Sequence, residues 1–225
     1  MVDETDRRSR LFDELAVVGK AFGSAKRLEL VELLAQGERT VESLARAAYM
    51  GVSTVSAHLQ VLKMANLVRT RREGTKIHYR LAGDDVVALY DAMRTVARRR
   101  SPDVGAALEA YLGLPGADEV GLVAPDELDR LLASGAVTLL DVRPADEYAA
   151  GHIPGARSAP LEALARLAGE LHERPAIVAY CRGAFCVMAH DAVRLLAAEG
   201  VPARRLDGGM LEWRSHGQRV EIGAP

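Results

Sequence analysis

Residues 176–198 hold the pattern that most limits how this chain can fold. Ala176-Ile177-Val178-Ala179-Tyr180 is a short apolar run with β-branched residues and reads as a buried strand. From Val187 to Ala198 the apolar residues fall at 187, 188, 192, 195 and 196, the spacing of a helix. Between them lies Cys181-Arg182-Gly183-Ala184-Phe185-Cys186, which contains the only two cysteines of the chain. Cys181 therefore stands where a strand ends and a helix is about to begin. Backbone N–H groups of a tight loop and the helix N-terminal dipole favour an anion there. The expectation is a thiol at Cys181 that loses its proton more easily than usual, the thiolate being the reactive form. The alternative is a pair of buried structural cysteines.

The chain has 225 residues, enough for one large domain or two modest ones, and 49% of them are apolar, so a packed core is expected. No apolar run is long enough to span a membrane. Met1 to Arg10 is charged and has no signal-peptide core, so a cytoplasmic location is expected. Two cysteines make no disulfide framework, and a bridge between them would be regulatory or catalytic. Residues 1–100 carry 18 Lys/Arg and 13 Asp/Glu, whereas 101–225 carry 11 and 18. A basic half joined to an acidic half suggests two domains with different partners.

In the first half, Leu11, Leu15, Val18 and Phe22 share a helical face, and Gly23-Ser24 ends that helix, with Ser24 placed to cap the next. Thr40 is placed to cap a short helix, Gly51 marks a turn, and Ser53 opens a helix with Val55, Leu59 and Leu62 on one face. Two short helices across a tight turn read as helix-turn-helix. After Asn66 the period changes to two. Leu67 to Arg72 and Thr75 to Leu81 flank Glu73-Gly74, a β-hairpin wing. Lys63 to Arg80 carries six Lys/Arg against one Glu, and basic residues on a hairpin beside a helix-turn-helix suit phosphates.

The run Gly51 to Lys63, with Asn66-Leu67-Val68 and Arg72-Glu73-Gly74, resembles the ArsR/SmtB family of winged helix-turn-helix repressors over nearly all of residues 10–100. The resemblance implies a homodimer joined through its first and last helices, on double-stranded DNA with a two-fold operator. The last helix would run from Asp84 to Arg100, with an apolar stripe of Val86, Leu89, Tyr90, Met93 and Val96. By position, Ser53, Thr54, Ser56, Ala57, His58 and Gln60 face base edges, while Arg69, Arg71, Arg72 and Lys76 take phosphates. This half has no cysteine, and its two histidines, His58 and His78, fall on the recognition helix and the wing, so no metal site and no cofactor are expected.

Ser101-Pro102-Asp103 breaks the long helix, 104–112 suits a short helical connector, and Pro115 with Gly113 and Gly116 makes a second break. The expected division is a winged-helix domain over 1–100, a linker over 101–117 and a second domain over 118–225. There, strand and helix signals alternate (strands at 120–123, 137–142, 176–180 and 203–206), which argues for a parallel sheet flanked by helices. Leu140-Asp141-Val142-Arg143, Glu147, Gly151-His152-Ile153-Pro154-Gly155-Ala156, the Cys181 loop, and Leu206-Asp207-Gly208-Gly209-Met210 with Trp213 resemble a rhodanese domain. The fold class is thus two domains, a mainly α winged helix-turn-helix and an α/β rhodanese-like sheet. Arg143 and Glu147, four apart, are expected to pair across a turn, and His152 to be a turn residue.

The resemblance implies that Cys181 accepts a sulfane sulfur as a persulfide in the cradle of Arg182, Gly183, Ala184, Phe185 and Cys186. This loop departs from the family pattern, with glycine third rather than fourth and a second thiol at the sixth position. Cys186 could attack a Cys181 persulfide and trap the sulfur as a bridge. A Cys-x5-Arg phosphate loop is ruled out by Val187. Three functions follow: a regulator whose second domain senses a small sulfur species or an oxidant, a sulfurtransferase tethered to a DNA-binding domain, and a sensor of arsenite-like thiophilic ions.

Overall fold

The computed structural model describes residues 4–113 and 121–224, and the chain forms two compact units, Met1–Tyr90 and Asp91–Pro225.

In the first unit, helices α1 (Glu4–Phe22) and α2 (Ala25–Ala35) precede strand β1 (Arg39–Thr40), α3 (Val41–Ala47) and α4 (Val52–Met64). Thr40 caps α3 as expected, its hydroxyl accepting the Ser43 N–H at 3.2 Å. Ser24 holds the corresponding position for α2, but its side chain makes no cap bond. Helix α4 begins one residue before Ser53, after Gly51. Asn66, in the left-handed region at φ 56°, turns the chain into the wing, β2 (Val68–Glu73) and β3 (Lys76–Leu81), whose turn uses Gly74 at φ 58°. The antiparallel sheet is ordered β1-β3-β2. Val55, Leu59 and Leu62 form the wholly buried face of α4, packed in a core with Leu30, Val31 and Leu44. Helix α5 (Asp84–Arg100) is continuous, and the boundary between the units falls inside it. Of its apolar stripe, Val86 and Tyr90 are buried, whereas Leu89 and Val96 are exposed, as are Leu11, Phe12 and Leu15 of α1.

In the second unit, α6 (Pro102–Leu112) occupies much of the span read as a linker, and it ends at Gly113 in the left-handed conformation. Residues 114–120, where the second break and the start of the first strand were expected, lie outside the described residues. There follow β4 (Leu122–Val123), α7 (Pro125–Ala133), β5 (Val137–Asp141), α8 (Ala145–Ala150), β6 (Arg157–Ser158), a 3-10 turn (Leu161–Ala163), α9 (Leu164–Leu171), β7 (Ala176–Tyr180), α10 (Met188–Ala198), β8 (Ala203–Leu206) and α11 (Met210–Ser215). The short α8 and β6 were not evident from periodicity. The five strands are parallel in the order β4-β8-β7-β5-β6, so β7 is central.

Alternation along the central strands sorts their side chains into two layers. Ile177 and Ala179 pack with Leu140, Leu164, Leu171, Val193 and Leu196 on one face. Val178 and Tyr180 pack with Leu139, Leu128, Leu206 and Trp213 on the other. Cys181 and Cys186 belong to the first layer. The period-two rule thus turns Cys181, in phase with Ile177 and Ala179, into the core, and the loop after it brings Cys186 into the same layer.

Candidate thiol site and nucleic-acid interface

The loop is fixed from below by a buried polar cluster. The Tyr180 hydroxyl donates to Asp141 Oδ2 at 2.6 Å and accepts the Ile153 N–H at 3.0 Å. Arg143, wholly buried, donates through Nε to Asp141 Oδ1 at 2.9 Å and through Nη2 to the Gly151 carbonyl at 2.7 Å. A buried guanidinium is stable only when paired and bonded in this way. Against its burial, the hydrogen bond and charge of Asp141 raise the pKa of Arg143, with smaller contributions from Tyr180 and Glu147. Glu147 is buried as well. Its carboxylate also receives Arg182 Nε at 2.9 and 3.0 Å. The first cradle arginine is thus spent on a buried carboxylate. His152 Nδ1 lies 3.0 Å from the Tyr148 carbonyl oxygen and its ring stacks on Tyr148, a structural placement.

From above, α11 closes on the loop. Met210 N–H donates to the Cys181 carbonyl at 3.0 Å and Leu211 N–H to that of Arg182 at 2.9 Å. This contact requires Gly209, because a Cβ there would fall on the Cys181 carbonyl oxygen and 2.7 Å from the Gly183 nitrogen.

The acidity expected of Cys181 is corrected by its burial. The residue is 1% exposed, and desolvation pushes its thiol well above the ordinary value, outweighing the Ala189 and Gly183 N–H groups that favour the anion. The Cys186 carbonyl oxygen lies 3.5 Å from the Cys181 sulfur. Cys186 behaves in the opposite way. The Cys181 S–H bonds to its sulfur, and this bond lowers the Cys186 pKa despite burial, helped by the N–H groups of Met188 and Arg182. Both thiols are free. The loop is therefore an interacting thiol pair in which Cys186 is the more acidic member and Cys181 the one that holds its proton more tightly.

Among the DNA-facing candidates, Ser53, Thr54, Ala57 and Gln60 are exposed on α4, and Ser56 and His58 are half-buried. Gln60 Nε2 donates to the Tyr79 hydroxyl at 3.3 Å. On the wing, Arg69, Arg72 and Lys76 are exposed. Arg71 is also exposed but pairs with Glu38 and Glu73, each at 2.8 Å, which makes it a weaker phosphate ligand than its position suggested.

Two family models match, "Bacterial regulatory protein, arsR family" over residues 24–70 and "Rhodanese-like domain" over 124–216. Over its whole length the chain is 48% identical to the HTH-type transcriptional regulator Rv0324 of Mycobacterium tuberculosis and covers 98% of it. The chain belongs to the ArsR family of transcriptional regulators. Like other ArsR regulators it binds DNA through a winged helix-turn-helix, and it carries a rhodanese-like domain in addition. The Biofilm growth-associated repressor of Agrobacterium fabrum is 39% identical over 83 residues, 37% of this chain and 71% of that protein. The solution structure of a homodimeric winged helix-turn-helix domain from Mycobacterium bovis is 46% identical, covering 46% of this chain and 95% of that one, with a TM-score of 0.42.

Four residues of this ArsR regulator escaped the sequence reading yet lie around the thiol loop. Arg94 of α5 is buried, its guanidinium carbon 4.1 Å from the centroid of the Phe185 ring and its Nη1 3.2 Å from Glu212 Oε1. Glu212 Oε1 also accepts the Ala184 N–H at 3.1 Å. His190 and Arg205 meet beside the thiols, with Nε2 and Nη1 2.8 Å apart. The available signals were weak: a glutamate in the first turn after Gly208-Gly209, and an arginine pair inside a strand pattern. Among the described residues no helix is long and apolar enough to cross a membrane.

Proposed function

We propose that this ArsR regulator is a homodimeric repressor of a two-fold operator, and that its rhodanese-like domain releases or tightens DNA in response to sulfane sulfur or an equivalent oxidant. The reading rests on one observation. The two thiols share a loop whose intervening residues, Ala184 and Phe185, hold Arg94 of α5 directly and through Glu212. The exposed apolar residues of α1 and α5, together with the family resemblance, support the dimer.

The chemistry follows from the order of acidity of the pair, Cys186 ionising more readily than Cys181. The Cys186 thiolate attacks the sulfane sulfur of a donor, forming an S–S bond as the donor's own S–S bond breaks and its leaving group departs with the electron pair. Cys181, giving up its proton, then attacks Cys186 Sγ and expels hydrosulfide. Two thiols are oxidised to a disulfide and the sulfane sulfur is reduced to sulfide. Closing the bridge replaces the S–H bond and moves Cys186, and with it the adjacent Phe185 beneath Arg94. Because α5 continues into the first unit, a change at Arg94 has a covalent path to the DNA-binding half.

Titration of an operator duplex with full-length protein, before and after inorganic tetrasulfide, tests this reading. We expect a change in affinity of about tenfold or more, absent in Cys186→Ser. An unchanged affinity, or the same change in both single Cys→Ser variants, counts against it. A catalytic sulfurtransferase is the second reading, favoured by the rhodanese-like match, and multiple turnover of thiosulfate by the full chain distinguishes it.

A further inference from the structure

The helices α3, α4, α7, α10 and α11 end in the same kind of turn. One residue takes the left-handed conformation, and the N–H of the next donates to a carbonyl five positions back: Met50 to Ala45, Leu67 to Leu62, Ala136 to Leu131, Val201 to Leu196 and Gln218 to Trp213. Such a turn satisfies carbonyls left over at the helix end and favours glycine, because an L side chain is crowded there. The left-handed residue is glycine after α7, α10 and α11 (Gly135, Gly200 and Gly217). After α4 it is Asn66, whose short polar side chain tolerates the conformation. After α3 it is Tyr49, at φ 50°.

Packing does not offset that crowding. Tyr49 is 97% exposed, more than any other large apolar or aromatic side chain among the described residues, so its ring gains almost nothing from the core. A bulky residue held in a disfavoured backbone conformation without such a gain points to a role outside the fold. Its position says which. Tyr49 lies in the turn that joins α3 to α4, the two helices of the helix-turn-helix. In that motif the second helix enters the major groove by its N-terminal end while the first crosses the DNA backbone, so the turn between them lies beside the sugar–phosphate strand that bounds the groove. Arg46 before it and Val52, Ser53 and Thr54 after it are exposed as well, and between Glu42 and Glu73 the chain carries no carboxylate side chain that would repel a phosphate.

We infer that Tyr49 contacts the operator directly, its hydroxyl donating a hydrogen bond to a phosphate oxygen at the edge of the groove that α4 enters. Tyrosine hydroxyls are among the groups that bind phosphate in this way, and such contacts fix the register of the protein on the duplex without reading its sequence. The inference is independent of the thiol chemistry and adds a contact that lies on neither the recognition helix nor the wing.

The test uses the full-length protein and a duplex selected by wild type from a random library, together with single-base-pair variants of that duplex. Fluorescence anisotropy over a salt series gives the affinities. Tyr49→Phe keeps the ring and the turn, and weakens binding about tenfold, the effect of one hydrogen bond to an ion. The loss is uniform across the duplex variants, and the slope of log affinity against log salt is unchanged, since a neutral hydroxyl releases no counterion. Tyr49→Gly weakens binding at least as much, yet raises the melting temperature by about 2 °C or more, because glycine relieves the left-handed turn. Wild-type affinity in Tyr49→Phe would mean that the hydroxyl touches no DNA, and a lowered melting temperature in Tyr49→Gly that the side chain serves the fold. A loss confined to particular base pairs would mean that the hydroxyl reads a base instead. Each of these three results overturns the inference.

Discussion

Arg94 lies over the face of Phe185, its guanidinium carbon 4.1 Å from the ring centroid. One residue belongs to the long helix that begins in the winged-helix unit, the other immediately precedes Cys186. A stacked guanidinium gains on the order of 1–2 kcal/mol when desolvated. Phe185→Leu should therefore leave the rate of thiol modification near wild type while shrinking the modification-dependent change in operator affinity to under about threefold. Fluorescence anisotropy on a labelled operator, with modification followed in parallel, reads both.

Gly209 permits the close approach of α11 to the loop backbone. Gly209→Ala puts a methyl group against the Cys181 carbonyl and the Gly183 nitrogen, neither of which is a flexible side-chain end. The loss of stability should be about 2 kcal/mol or more. Calorimetry should show a lowered melting transition, with faster alkylation of the loop at temperatures where the rest remains folded.

On the wing, the ion pairs of Arg71 set it apart from Arg69. Arg69→Ala should weaken binding by several-fold and reduce the slope of log affinity against log salt by about one, the signature of a lost phosphate contact. Arg71→Ala should do less, since its charge is already shared with Glu38 and Glu73. Salt titrations of operator binding by the two variants make the comparison.

His190 has its pKa lowered from 6.5 to about 4, first by burial and then by Arg205 and Arg194, against a smaller opposing effect of Asp191. The unfolded chain therefore binds this proton more readily than the native one, so stability is present above about pH 6.5 and is lost as the pH falls through about 4. His190→Gln should flatten that part of the stability curve, by on the order of 2 kcal/mol. Urea denaturation at pH 7 and pH 4.5 measures it.

The elements around the site were legible where local chemistry decides them. The change of period at Asn66, the turn at Gly74 and the wholly apolar run 176–180 each dictate one structure nearly alone. The protonation of the thiols was not legible. The strand-to-helix position of Cys181 suggests an acidic thiol, but the same strand's alternation buries it among Leu140, Ala189 and Val193, and depth of burial is set by the whole sheet. Arg94, His190, Arg205 and Glu212 come from four separate elements, and only the packed domain brings them to the loop.

The account turns on Cys186 being the more acidic thiol, its anion favoured by the Cys181 S–H. Residue-resolved mass spectrometry after brief iodoacetamide exposure across a pH series measures this directly. The account predicts label on Cys186 first, half-maximal below the ordinary thiol value of 9.0, a midpoint that rises in Cys181→Ala, and little label on Cys181 until well above that pH. Labelling of Cys181 first, or a Cys186 midpoint at or above 9.0, would contradict it.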